Sequence, residues 1–245
     1  MGETDTDAAD QFNASISRER LDEATPGLWS RYRRLPKNVF AISLVSLLND
    51  ASSEIIYPLL PLFLAVTLGA SPAAIGVIEG AAESVSSLLK LFAGYFSDKR
   101  GRRKGLVVFG YALANFVRPL LAFATNWFQV LAIRLTDRVG KGIRSAPRDA
   151  MIADAVRVEE RGLAFGFHRA MDHAGAVVGP LLGYILLLLF AHERNAPTAR
   201  DYTLVFLIAS IPAFFAVLVA ALFVRESRVA KAEKIDGLET PVKLS

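Results

Sequence analysis

Gly94-Tyr95-Phe96-Ser97-Asp98-Lys99-Arg100-Gly101-Arg102-Arg103-Lys104 is a strongly charged run set between two predominantly apolar stretches, residues 72–97 and 104–124. Each stretch has roughly the 20 residues that a helix rising 1.5 Å per residue needs to cross a hydrocarbon core of about 30 Å. A chain that spans a bilayer, turns in water and spans it again requires such a join. Within it, Gly94 permits close helix approach, Gly101 permits a tight turn, and Asp98 can form an ion pair at the helix junction.

Outward from this join, the same alternation covers most of the chain. The sequence is 53% hydrophobic, yet 21% of its residues are charged, so its apolar residues must be concentrated in blocks. Six blocks qualify as spans, at about 38–67, 72–97, 104–124, 127–153, 160–190 and 202–224. The expected fold class is therefore an all-α membrane protein with six transmembrane helices in one bundle. Pro58 and Pro61 should bend the first span without ending it, because neighbouring helices can satisfy the released backbone groups. A soluble protein of this length would be punctuated by polar residues far more often. The polar residues 1–35 hold no apolar run of the signal-peptide kind.

Basic residues set the orientation, since Arg and Lys favour cytoplasmic connections. Arg31, Arg33, Arg34 and Lys37 precede the first span; Lys99 to Lys104 follow the second; Arg225, Arg228, Lys231 and Lys234 follow the sixth. The alternate connections at residues 67–71 and 124–127 are uncharged. Both termini are thus expected in the cytoplasm, with residues 1–37 as a tail and 225–245 as a tail or a truncated central linker around a bundle at 38–224. Trp29, Tyr32 and Trp127 suit the interface. This distribution explains the net charge of +4 without nucleic acid.

The run from Gly94 to Lys104 resembles the signature loop of the major facilitator superfamily, through Gly94, Asp98, Gly101, Arg102 and Arg103. In the fifth span, Gly175, Gly179, Pro180 and Gly183 resemble the Gly-Pro motif of the superfamily's drug and proton antiporters, with Tyr184 in place of a final Gly. Small residues four apart also suit tight helix packing, and Pro180 should weaken the local helix. Arg134, Gly140, Gly142, Pro147 and Asp154 make a third, partial match, departing from the antiporter pattern at Arg138. The resemblance implies the amino-terminal six-helix half of a secondary transporter of the cytoplasmic inner membrane.

Ionisable residues inside a span are costly and usually face a cavity or one another. Asp50, Glu83, Asp137 with Arg138, and Asp172 each fall about 10–12 residues from an end of their span, which places them roughly 15–18 Å deep. Secondary transporters bind substrate and coupling ions at this depth. Asp50 with Glu54, Glu79 with Glu83, Arg134 with Arg138, and His168 with Asp172 share helix faces by their i, i+4 spacing. Lys141 extends one such face, and Arg118 adds a cation before Pro119. Asp50, Glu54, Glu83, Arg118, Arg134, Asp137, Arg138, Lys141, His168 and Asp172 are therefore the candidates for proton coupling or substrate binding. Asp50 and Glu54 lead as proton carriers, and an excess of Arg and Lys could instead hold an anionic substrate. Glu79, Lys90 and Arg144, nearer an interface, read as helix locks.

Enzyme chemistry finds no support. His168 and His173 lack metalloprotease spacing, no Ser/His/Asp arrangement is evident and the chain has no cysteine, so neither metal nor cofactor is expected. The expected partners are membrane lipid, a small-molecule substrate and protons. Alternating access also needs a second six-helix half, supplied by a homodimer partner or another chain. The alternative is a helical membrane subunit or fragment that binds a partner and transports nothing.

Overall fold

A computed structural model of the chain describes residues 28–100, 103–190 and 197–226, with the backbone alone at Leu28, Trp29, Asp98 and Arg100. The chain divides into two units, Met1–Leu35 and Pro36–Ser245. Of the first, the described part is a short helix, α1 (Leu28–Arg33).

The described residues of the second unit form six long helices and their irregular ends. Helix α2 (Lys37–Ile56) starts directly after Pro36. Its path breaks at Tyr57, where Pro58 supplies no backbone N–H, and resumes as α3 (Leu60–Leu62) and a π-helical turn, Phe63–Thr67. The bend expected from Pro58 and Pro61 thus takes this form. Gly69, at φ 62°, turns the chain into the left-handed region that glycine adopts without strain. Ser71 Oγ then accepts from the backbone N–H of Ala74 (3.2 Å), and α4 (Pro72–Arg100) begins on a proline, which is suited to a first turn.

Helix α5 (Lys104–Val117) passes into a 3₁₀ segment, Arg118–Phe123, where Pro119 interrupts the α-helical ladder. Helix α6 (Trp127–Ala155) is capped by Asn126, whose side chain accepts from Gln129 N (3.1 Å). It runs through Pro147, as α7 (Arg161–Phe190) runs through Pro180, so neither proline ends its helix. Helix α8 (Ala199–Phe223) starts three residues before the apolar block. Its capping box joins Thr198 and Asp201, a polar signal that a hydropathy window passes over.

Among the described residues, four stretches are long and apolar enough to cross a membrane by length and composition: Lys37–Thr67, Lys104–Phe123, Val158–Phe190 and Ala199–Phe223. Helices α4 and α6 have the length, 29 residues each, but carry the charges that build the interior. Outward-facing Val177, Leu181 and Leu188 of α7, and Ile211, Phe214 and Leu218 of α8, form the apolar surface a bilayer would cover.

Helix α2 packs mainly against α7 and α8, and α6 packs mainly against α4 and α5. The first helix of each three-helix set therefore lies on the second and third helices of the other set. Glycines allow the close approaches. A Cβ on Gly175, Gly179 or Gly183 would stand 2.6, 2.6 or 2.7 Å from atoms of α2. On α6, Gly142 abuts Leu89 of α4, and Gly140 meets Gly110 of α5 backbone to backbone.

Candidate functional site

Two charged clusters lie side by side in the bundle interior. The first is centred on Asp137 of α6. Tyr57, at the break after α2, donates its hydroxyl to Asp137 Oδ2 (2.5 Å), and Arg118 Nε donates to Asp137 Oδ1 (2.9 Å). Arg118 also donates from Nη1 to Asn115 Oδ1 (2.8 Å) and Asn49 O (3.2 Å), and from Nη2 to Asn49 Oδ1 (3.2 Å). Every nitrogen of that buried guanidinium has an acceptor, as a desolvated charge requires. Three elements from different parts of the chain meet here: the end of α2, the 3₁₀ segment and α6.

Tyr57 is the hub of this cluster. The guanidinium carbons of Arg134, Arg138 and Arg118 lie 4.0, 5.2 and 5.9 Å from its ring centroid. The electron-rich ring face screens three cations that would otherwise repel one another. Arg134, the nearest of the three to the ring, also donates to Glu79 Oε2 of α4 (2.5 Å).

The second cluster surrounds a polar cavity of about 410 Å³. It is lined by Asp50 of α2, Lys90 of α4, Lys141, Arg144, Arg148 and Asp149 of α6, and Arg169 and Asp172 of α7. A smaller cavity of about 100 Å³ adjoins the first cluster and shares Asp50, Lys141 and Arg144 with the larger one; Glu54 and Arg138 also line it. Lys141, Arg144 and Arg148 recur at i, i+3 and i+7, which directs them to one side of α6. Pairing here is sparse. Arg148 bonds Asp149 (2.9 Å) and Ser46 Oγ (3.3 Å), and Asp50 Oδ1 accepts from Asn49 Nδ2 (2.8 Å).

The sequence candidates thus sort into three groups. Asp50, Glu54, Arg118, Asp137, Arg138 and Lys141 meet at the smaller cavity, and Asp50, Lys141 and Asp172 at the larger. Arg134 is drawn to Glu79, and His168 is buried with Nε2 3.5 Å from Asp172 Oδ2, so neither lines a cavity. Glu83 is exposed on α4. Lys90 and Arg144, read from sequence as helix locks, stand instead on the larger cavity wall without an ion pair among the described residues. Tyr57 and Asn49 escaped the sequence reading, which followed formal charge. A signal existed for Tyr57, since it lies three residues after Glu54 and seven after Asp50, on their helix face.

A third set of contacts ties helix ends together. Arg103 forms an ion pair with Asp154 of α6, while Glu226 accepts from the backbone N–H of Arg103 (2.7 Å) and Lys104 (3.0 Å). Asn38 of α2 holds the Arg225 backbone through both its amide atoms (3.1 and 2.9 Å). Gly94 sits beside Ala146 of α6, 3.5 Å from a Cβ placed on it, which is ordinary contact. Gly101 and Arg102 lie outside the described residues, as do the Asp98 side chain, residues 1–27 and residues 227–245.

Known proteins resemble this chain in sequence and in fold. An uncharacterised MFS-type transporter of Methanocaldococcus jannaschii is 36% identical over 203 residues, covering 83% of this chain and 48% of the relative. The multidrug resistance protein MdtG of Proteus mirabilis is 29% identical over 83% of this chain and 48% of its own length. Among solved structures, a bacterial homologue of the human lysosomal transporter Spinster superposes with a TM-score of 0.66 at 20% identity, covering 80% of this chain and 45% of that one. The D-xylose-proton symporter gives a TM-score of 0.63 at 16% identity, over 78% and 48%. The chain spans about half the length of the curated relatives it matches. The family model described as Major Facilitator Superfamily matches residues 42–244, and this chain, an all-α membrane protein, belongs to that superfamily.

Proposed function

We propose that this chain forms one wall of a secondary-transport pathway that moves a small polar molecule out of the cytoplasm by alternating access, coupled to protons. A second six-helix bundle supplies the opposite wall. The observation that carries this reading is the polar cavity, in which α2, α4, α6 and α7 turn ionisable side chains toward water inside an otherwise apolar bundle. Such groups are costly in a membrane and are retained where a solute or proton passes. The multidrug names of relatives support outward movement. In this reading residues 38–224 are the transport bundle of a cytoplasmic-membrane protein. Residues 1–37 and 225–245 are cytoplasmic tails, and the Gly94–Arg103 join gates the pathway.

Asp50 and Glu54 carry the proton. They share a face of α2 and line the smaller cavity opposite Arg138 and Lys141, so their charge decides whether those cations are neutralised from within the chain or by something else. The test is solute-evoked proton movement in inside-out vesicles loaded with a pH-sensitive dye, with the chain alone and with its second half. Solute-dependent alkalinisation is expected only with the second half, and Asp50→Asn with Glu54→Gln should abolish it. Undiminished proton-driven flux in that double variant would remove both residues from the coupling role. Silence toward every solute would favour a subunit that does not transport.

A further inference from the structure

We infer that the cavity between α2, α4, α6 and α7 is an oxyanion site, which takes a carboxylate or phosphate group of the transported solute on Arg144 and Lys141. This rests on the transport reading for the word transported, while the site itself rests on geometry.

Arg144 is 4% exposed, and its Nε and Nη1 have no hydrogen-bond acceptor. Its guanidinium carbon lies 4.3 Å from the ring centroid of Tyr111, whose hydroxyl is in turn 2.9 Å from Ser46 Oγ. The aromatic ring orients the guanidinium without satisfying its donors. A buried arginine with open in-plane donors is an incomplete structure, because desolvation has been incurred and the compensating anion is absent. Each of those donors can give a charge-assisted hydrogen bond to an oxygen of a carboxylate or phosphate group.

The surrounding charges point the same way. Arg148 is paired with Asp149, and Asp172 faces His168. Lys90, Lys141, Arg144 and Arg169 then remain on the larger cavity, with Arg138 on the smaller, and none has an ion-pair partner among the described residues. The carboxylates left are Asp50, Glu54 and Asp172, since a neutral His168 cancels no charge, so cations exceed anions by two (five against three). A cationic or neutral solute would leave that excess uncompensated. Lys141 stands three residues before Arg144 on the same helix and lines both cavities, so it is the second contact an oxyanion meets.

The test is binding to the purified chain in phosphatidylcholine nanodiscs, using radiolabelled inorganic phosphate, with sulfate, succinate and tetraphenylphosphonium as competitors. Saturable phosphate binding is expected, displaced by sulfate and succinate and indifferent to tetraphenylphosphonium. Arg144→Gln should weaken it about tenfold or more, the loss of a charge-assisted pair of hydrogen bonds. Arg144→Lys should fall between, keeping the charge but losing the guanidinium's fixed, planar donors. Should Arg144→Gln fail to give monodisperse protein, Lys141→Gln, half-buried, tests the same wall and should also weaken binding. Arg161→Gln, exposed at the start of α7, should not.

No saturable binding of phosphate, sulfate or succinate by monodisperse protein overturns the proposal, as does binding unchanged in both Arg144→Gln and Lys141→Gln. Competition by added phosphatidylglycerol would hand the site to a lipid headgroup and overturn its assignment to a solute. Oxyanion binding without flux in the vesicle assay leaves the site standing and sinks the transport reading. Proton movement evoked by cationic solutes alone does the reverse.

Discussion

Asp137 and Arg144 lie two turns apart on α6 and are equally buried, yet one is fully partnered and the other is not. Asp137 receives Tyr57 on one oxygen and Arg118 on the other, and Arg118 spends its remaining donors on Asn49 and Asn115. Arg144 has an aromatic ring beneath it and two nitrogens without acceptors. Both are ionisable residues in a membrane helix, and cost alone cannot say which is retained for folding and which for function. Satisfaction can. A carboxylate with both oxygens partnered holds helices together, whereas open donors on a residue that lines a polar cavity are placed to take a partner that is not protein.

Breaking the closed network should produce the largest effect. Arg118→Met leaves the Asp137 carboxylate buried without its counterion and is expected to cost about 3–5 kcal/mol, read as a lower denaturant midpoint for the purified chain in micelles. Asp137→Leu alone should cost a similar amount. The double variant should recover most of the loss, since removing both charges also removes the desolvation penalty. A double variant as unstable as the sum of the singles would mean that the two residues are not an energetic pair. The contrast with Arg144 would then lose its basis.

Tyr57→Phe is a smaller cut into the same network. The ring stays beneath Arg134 while the hydroxyl that donates to Asp137 goes. Hydrogen bonds between membrane helices average about 0.6 kcal/mol and reach about 1.7 kcal/mol. An acceptor that is an ionised carboxylate places this one toward the upper end, so a loss of about 1–1.5 kcal/mol in the same denaturation assay is expected. No loss at all would show that Arg118 suffices for Asp137 and that Tyr57 acts through its ring.

Most of the fold could be read in the sequence because spans are written in blocks. The residues between Gly94 and Lys104 mark one join, and Gly175, Gly179 and Gly183 mark a face that the structure lays against α2. The site was harder. Counting residues gave depth, and i, i+4 spacing gave shared faces, but neither says which neighbouring helix a face meets. Arg134 and Arg138 share a face by spacing and both lie over Tyr57, yet Arg134 alone also reaches Glu79 of α4. Arg144 looked like an anchor because it falls toward one end of its apolar block. It is interior because the Tyr111 ring of α5 lies against its guanidinium and it shares a cavity wall with Asp50 of α2 and Lys90 of α4. Tertiary packing, which one-dimensional spacing does not contain, separated these residues.

The smallest expected change in stability is the sharpest test of the comparison. Arg144→Met replaces a buried cation that has no carboxylate partner with an apolar chain of similar length, still in contact with the Tyr111 ring. If the guanidinium is held in readiness for a ligand, the empty protein gains from losing it. Denaturation should then shift by no more than about 1 kcal/mol, toward greater stability. Phosphate should raise the midpoint of the unmutated chain and leave that of Arg144→Met unmoved, because only a bound state can be stabilised by mass action. A loss of stability comparable to that of Arg118→Met would place Arg144 in the closed network and erase the distinction between the two clusters. Retained stability with lost phosphate response would separate a residue kept for folding from one kept for a ligand, on a single helix face.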